Sequence, residues 1–199
     1  MDGNDNQKGK DEEKLGRLNQ IYLMIISRYK DHIESSEEIS VAQLPTMVMP
    51  KSMVVMQRAN IIKKMFTSYN YTSDFKNAAN IAFEFIINNV EEINLPLHFW
   101  LTPEETLRFM AGDIIDRAIL LCSIFIALDN PSSKVLIVTN ESNRVILVYY
   151  ELDGKTVMYD ISKRIINEFQ SHASMISSLS NDGNTNIYEF NDQMYVDII

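Results

Sequence analysis

The feature that most constrains this chain is the block Ala118-Ile-Leu-Leu-Cys-Ser-Ile-Phe-Ile-Ala-Leu128, broken only by Ser123. A helix that is apolar nearly all round has no face to give to water, so it must be enclosed by other elements. It is also far shorter than the roughly 20 residues needed to cross a bilayer. The rest of the sequence must therefore supply layers that cover it. Its start is written locally: Gly112 precedes Asp113, whose carboxylate caps a helix expected to run to about Leu128. After the turn Asp129-Asn130-Pro131-Ser132-Ser133 the apolar period switches to two. Lys134–Thr139, Arg144–Leu152 and Lys155–Asp160 read as strands rich in Val, Ile, Leu and Tyr. Asp153-Gly154 is a two-residue hairpin loop between the last two.

Helices are expected upstream. Residues 1–13 carry almost nothing to bury and read as a disordered tail. An amphipathic helix is expected over 14–34, from Leu15, Leu18, Ile21, Tyr22, Ile25 and Tyr29. Residues 35–50 form a connector whose Met47-Val48-Met49 rests on the main body. A second helix spans about Ser52 to Phe66. A third follows Thr72-Ser73-Asp74 and runs to Asn89, with Phe75, Ala78, Ile81, Phe83, Phe85 and Ile86 as its core side. Thr102-Pro103-Glu104-Glu105 is a capping box with proline at the first helical position. That short helix should stop at Gly112, placed as its C′ residue. Past Asp160, a short helix is expected over Ile161–Phe169, a turn at 181–184, and one or two strands over 187–199. Helices first, then a buried helix, then antiparallel strands make an α+β arrangement, with residues 51–199 as the main domain.

Charge and composition exclude several functions. The 199 residues carry a net charge of −9, which disfavours phosphate backbones and anionic lipid surfaces as partners. One cysteine, Cys122, rules out an intramolecular disulfide framework and a multi-cysteine zinc site. The three histidines, His32, His98 and His172, are too scattered for a helix-borne metal pair. No metal and no cofactor is expected. The N-terminal residues lack a basic-then-apolar signal pattern, which points to the cytoplasm.

The wording of residues 102–160 resembles the transglutaminase-like superfamily, whose core is shared with papain-type thiol enzymes. The residues that carry it are Pro103 through Ser123, the Leu152-Asp153-Gly154-Lys155 hairpin, and Tyr159-Asp160. The resemblance implies a transglutaminase-like α+β core with N-terminal helices, a buried central helix and an antiparallel sheet. In that family a Gly-Asp-Cys-x-Asp stretch opens the buried helix, a histidine follows on a strand, and an aspartate on the return strand. A thiol at a helix N-terminus is activated by the dipole, the imidazole moves its proton, and the carboxylate fixes the imidazole. Here the nucleophile position is Ile114, the histidine position falls on Val145 beside Arg144, and only Asp160 matches. The resemblance therefore implies a non-catalytic binding or structural module, with an unknown protein partner or self-association.

Two other functions compete with it. Cys122, with His98 as base, would make a diverged thiol hydrolase, although its place two turns into an apolar helix suits an inert core thiol. Lys51, Arg58, Lys63 and Lys64 form a mildly basic region that would serve nucleic acid, although without interleaved aromatic residues. His98 and Trp100, just before the motif helix, are candidates for ligand or partner contact. So are Asp113 and Asp116, expected to face solvent on the first turn of the helix, and Arg144. Five methionines between 47 and 65 suit either core filling or an adaptable contact surface.

Overall fold

The computed structural model describes residues 12–13, 15–24, 26–27, 43–93, 100–140, 143–180 and 185–198. Chain contacts divide it into two units, 1–40 with 97–99, and 41–96 with 100–199. In the first, a helix, α1, runs through 15–24. Residues 1–11 of the expected tail and 28–34 of the expected helix lie outside the described residues, while Glu12 and Glu13, placed in the tail by the sequence, are helical.

The second unit is built around the apolar block. Asp113 caps α6 (Ile114–Ala127), and the helix from Ile115 to Phe125 is buried without interruption. Around it lie α3 (Met53–Lys63), α4 (Tyr71–Asn89) and α5 (Pro103–Phe109). The four-residue α2 (Leu44–Met47) precedes them. Met47 and Val48 are buried, as expected for the connector. Ser123 explains how this segment is pinned: its Oγ accepts the Met49 N–H at 3.0 Å and donates to the Ile119 carbonyl at 2.8 Å. The one hydroxyl in the apolar block thus satisfies a backbone donor that crosses it.

The other layer is a six-stranded antiparallel sheet in the order β6-β5-β4-β3-β7-β8. The central strands β3 (Lys134–Thr139), β4 (Arg144–Leu152) and β5 (Lys155–Asp160) match the expected ranges. They are joined by β6 (Ile165–Phe169), β7 (Asn186–Phe190) and β8 (Tyr195–Asp197). Asp153 (φ 52°) and Gly154 (φ 75°) supply the left-handed pair that the two-residue hairpin requires. A seventh helix, α7 (His172–Leu179), packs on the sheet near β5 and β6. Its Met175 and Ile176 close an apolar cluster with Leu136, Leu147, Tyr149, Met158 and Ile187. The sheet is therefore covered on both faces, by α4 and α6 on one and by α7 on the other.

Four local expectations differ from the structure. The stretch Ile161–Phe169 is not a helix: Asp160 accepts the Lys163 N–H, Arg164 turns with φ 58°, and β6 pairs with β5. The helix in this region is α7, capped by Ser171. Gly112 is not a C′ residue, because Met110 ends α5 in the left-handed region (φ 49°). Instead Ala111–Gly112 (β2) pairs in parallel with Glu91–Glu92 (β1). Finally, α4 is capped by Asn70 rather than by residues 72–74, and Ile81 and Phe85 are half-buried where Ala79 and Ala82 are buried. Phe85 carries the Arg58 guanidinium on its ring at 3.9 Å.

Candidate functional site

The N-terminus of α6 is a reciprocal cap. The Asp113 carboxylate accepts the Asp116 N–H at 2.8 Å, and Asp116 Oδ2 accepts the Asp113 N–H at 3.0 Å. Asp116 Oδ1 also takes the Leu101 N–H at 2.7 Å. Asp116 is fully buried, so it does not face solvent as the first-turn position suggested. Gly112 makes this possible, since a Cβ there would meet the Asp116 Cβ at 2.8 Å. Burial, and then the Asp113 charge, push the Asp116 carboxyl well above the ordinary carboxylate range, against the two backbone N–H groups that favour its charge. Burial also raises Asp113, against the backbone N–H groups of Asp116 and Ile115 and the Arg144 charge. Both carboxylates are thus occupied in holding the helix entry.

The sheet divides the remaining candidates by face. Along β4, Ile146, Val148 and Tyr150 pair with Ile137, Val135 and Val157. This is the α6 side, because Tyr150 and Tyr159 meet Phe125 ring to ring at 5.7 and 5.1 Å. Val145, Leu147 and Tyr149 alternate to the opposite face, where Leu147 and Tyr149 pack with Met175 and Ile176. Asp160, paired with Ile165, shares that second face.

Two features occupy the second face. The first is a buried polar cluster on Glu189, which is 4% exposed. Lys134 Nζ donates to Oε1 at 2.6 Å, the Tyr149 hydroxyl donates to Oε2 at 2.5 Å, and His172 Nε2 lies 3.1 Å from Oε2. Burial works against the carboxylate, but Lys134 and Tyr149 hold it below its ordinary value. The second feature is a groove of about 240 Å³ beside α7. Val138, Val145, Leu147 and Met158 floor it, and Asp160, Lys163 and Asn167 stand among its polar lining. From the sequence His172 is only one of three scattered histidines, with no role assigned. The signal that sequence reasoning missed was Ser171 as a cap, which fixes His172 at the first turn of a helix.

No family profile matches the sequence, and no curated protein matches it. Solved structures do. LapG of Legionella pneumophila, EGTA-treated, superposes with a TM-score of 0.52 at 13% identity, covering 81% of this chain and 87% of that one. The calcium-bound form of LapG gives 0.51 at 14%, covering 80% and 88%. A proposed protease from Parabacteroides distasonis ATCC 8503 gives 0.50 at 18%, covering 79% of this chain but 30% of that one. The fold is transglutaminase-like.

Within that transglutaminase-like frame, Ile114 opens the buried helix, and the structure does not bring Val145 or Asp160 to it. A strand's period of two turns them to the far face, and Arg144 instead extends the α6 side toward Asp113. Asp160 receives the Lys163 N–H at 2.9 Å and so acts in the β5–β6 turn. Cys122 is fully buried, and burial pushes its thiol far up. Trp100 is largely buried, at 9% exposure, while His98 lies outside the described residues. In the basic region, Lys63 pairs with Asp129 at 2.7 Å, and the Arg58 guanidinium lies over the Phe85 ring at 3.9 Å. Met53, Met56, Ile61 and Met65 are exposed on and just beyond α3. Among the described residues no three His, Cys, Asp or Glu side chains converge as a metal site, and no helix is long and apolar enough to cross a membrane.

Proposed function

We propose that this chain is a transglutaminase-like domain that acts by binding rather than by thiol catalysis. The observation that carries this reading is the first residue of α6. Ile114 occupies the position where the helix dipole would activate a thiol, and the chain's single thiol is enclosed two turns further on. The carboxylates beside Ile114 are engaged in capping, and the charge acting on Asp113 is that of Arg144 rather than an imidazole. A hydrophobic side chain at this position supports packing between the helix entry and its surroundings. The partner is a protein or a second copy of the chain, in keeping with an acidic surface that repels nucleic acid.

The test is alkylation of Cys122 in the native protein as a function of pH, alongside peptide hydrolysis. Cys122 should stay protected until the protein unfolds. Fast native labelling with a midpoint below about 8.5, with hydrolysis that disappears in Cys122→Ala, would overturn the reading.

A further inference from the structure

We propose that β6 is a docking edge, onto which an extended segment of a partner protein adds as an antiparallel strand, its C-terminal end acidic. This rests on the binding reading and names its surface. A sheet edge presents unpaired N–H and C=O groups, and proteins usually blunt it by shortness or by charge. The edge at β8 is blunted, being three residues long. The edge at β6 is not. It is five residues long, and Ile165 and Ile166 are 43% and 41% exposed, one on each face of the sheet. Its one charged residue, Glu168, is already neutralised by Lys76 and Lys155, each at 2.6 Å.

The surroundings specify the occupant. Ile165 and Asn167 turn toward the groove beside α7, so a residue paired opposite them would lean its side chain over it. At about 240 Å³, the groove falls below the roughly 300–1,000 Å³ of small-molecule sites, which suits one side chain of a longer segment. Lys163 and Arg164 are both exposed where the chain enters β6, two cations together on an acidic protein. Lys163 reaches Asp160 only at 3.5 Å. An antiparallel strand on β6 brings its C-terminal end to these cations. Acidic residues there complete the charge match, while main-chain hydrogen bonds supply the affinity.

The experiment uses the full chain and two synthetic probes, an alternating Val/Thr peptide ending in a pair of glutamates and the same peptide ending in a pair of lysines. The glutamate peptide should slow hydrogen exchange of the β6 amides. Its binding should weaken at least tenfold in Lys163→Glu/Arg164→Glu and also in Ile166→Glu, with α6 amide exchange unchanged to show that both variants fold. Three results would overturn the proposal: equal binding of the lysine peptide, protection at another element only, or β6 protection that rises with protein concentration without peptide, which assigns the edge to a second copy. Cleavage of the peptide that depends on Cys122 would instead overturn the non-catalytic reading and leave the docking edge standing.

Discussion

The two faces of the central sheet are built from different chemistry. On the α6 face, Phe75, Phe83, Phe125, Tyr150 and Tyr159 interlock edge to face, with Phe75 and Tyr150 centroids 4.8 Å apart. Its polar tips are satisfied internally, the Tyr159 hydroxyl by Asn80 at 2.9 Å. On the α7 face, the apolar cluster shares its area with the Glu189 network and a groove that opens beside β6. The first face is an aromatic layer closed on itself, and the second carries charged groups and borders an exposed strand edge. In a chain whose buried helix opens on Ile114 rather than on a thiol, the docking edge we propose thus borders the side of the sheet away from that entry.

The sharpest way to break this contrast is to delete a ring from the first face. Phe125→Ala should cost about 3–5 kcal/mol, read from the denaturant midpoint. A loss under about 1 kcal/mol would mean that the aromatic layer is not the stabilising face. Glu189→Ala should cost about 2–4 kcal/mol, because it strands Lys134 and the Tyr149 hydroxyl at a partly buried site. Its cost should exceed that of the double variant Glu189→Gln/Lys134→Met, in which no charge is left unpaired. A more destabilised double variant would contradict a charge-pair origin.

Smaller effects sharpen the comparison at the helix entry. Gly112→Ala forces a Cβ against Asp116 and should cost about 1–3 kcal/mol, again by denaturant midpoint. Asp116→Asn tests the buried carboxyl. Its folded pKa is raised by burial and by Asp113. Its contribution to stability is therefore full below the unfolded value of about 3.9 and is lost as pH rises through the folded value. Asparagine cannot accept from both Leu101 and Asp113, so the variant should be less stable throughout. The gap to the wild type should be widest near pH 4 and narrow toward pH 8 in thermal melts. A gap that widens with pH would show that the carboxylate is stabilised in its charged form.

Legibility followed the range of the interactions involved. The capping box at Thr102 and Glu105, the hairpin at Asp153-Gly154 and the enclosure of α6 were all legible, since each is decided within a few residues or by an unbroken apolar run. The β6 region was not. Ile161, Ile165, Ile166 and Phe169 recur at helix-like intervals, and only hydrogen bonding to β5 makes the segment a strand. The serine-rich α7 was missed because its amphipathic signal is confined to Met175, Ile176 and Leu179, while Ser171 is a cap easily read as a loop residue.

The same division applies to the site. By itself the sequence determined that no thiol opens the buried helix, that the sole cysteine lies inside it, and that the chain is acidic, because these are matters of residue identity. Only the tertiary structure decided that Asp116 is buried, that Val145 and Asp160 face away from Ile114, and that Glu189 gathers Lys134, Tyr149 and His172. Each depends on register, in which one residue of slippage moves a side chain to the opposite face, and on which helix is packed against that face.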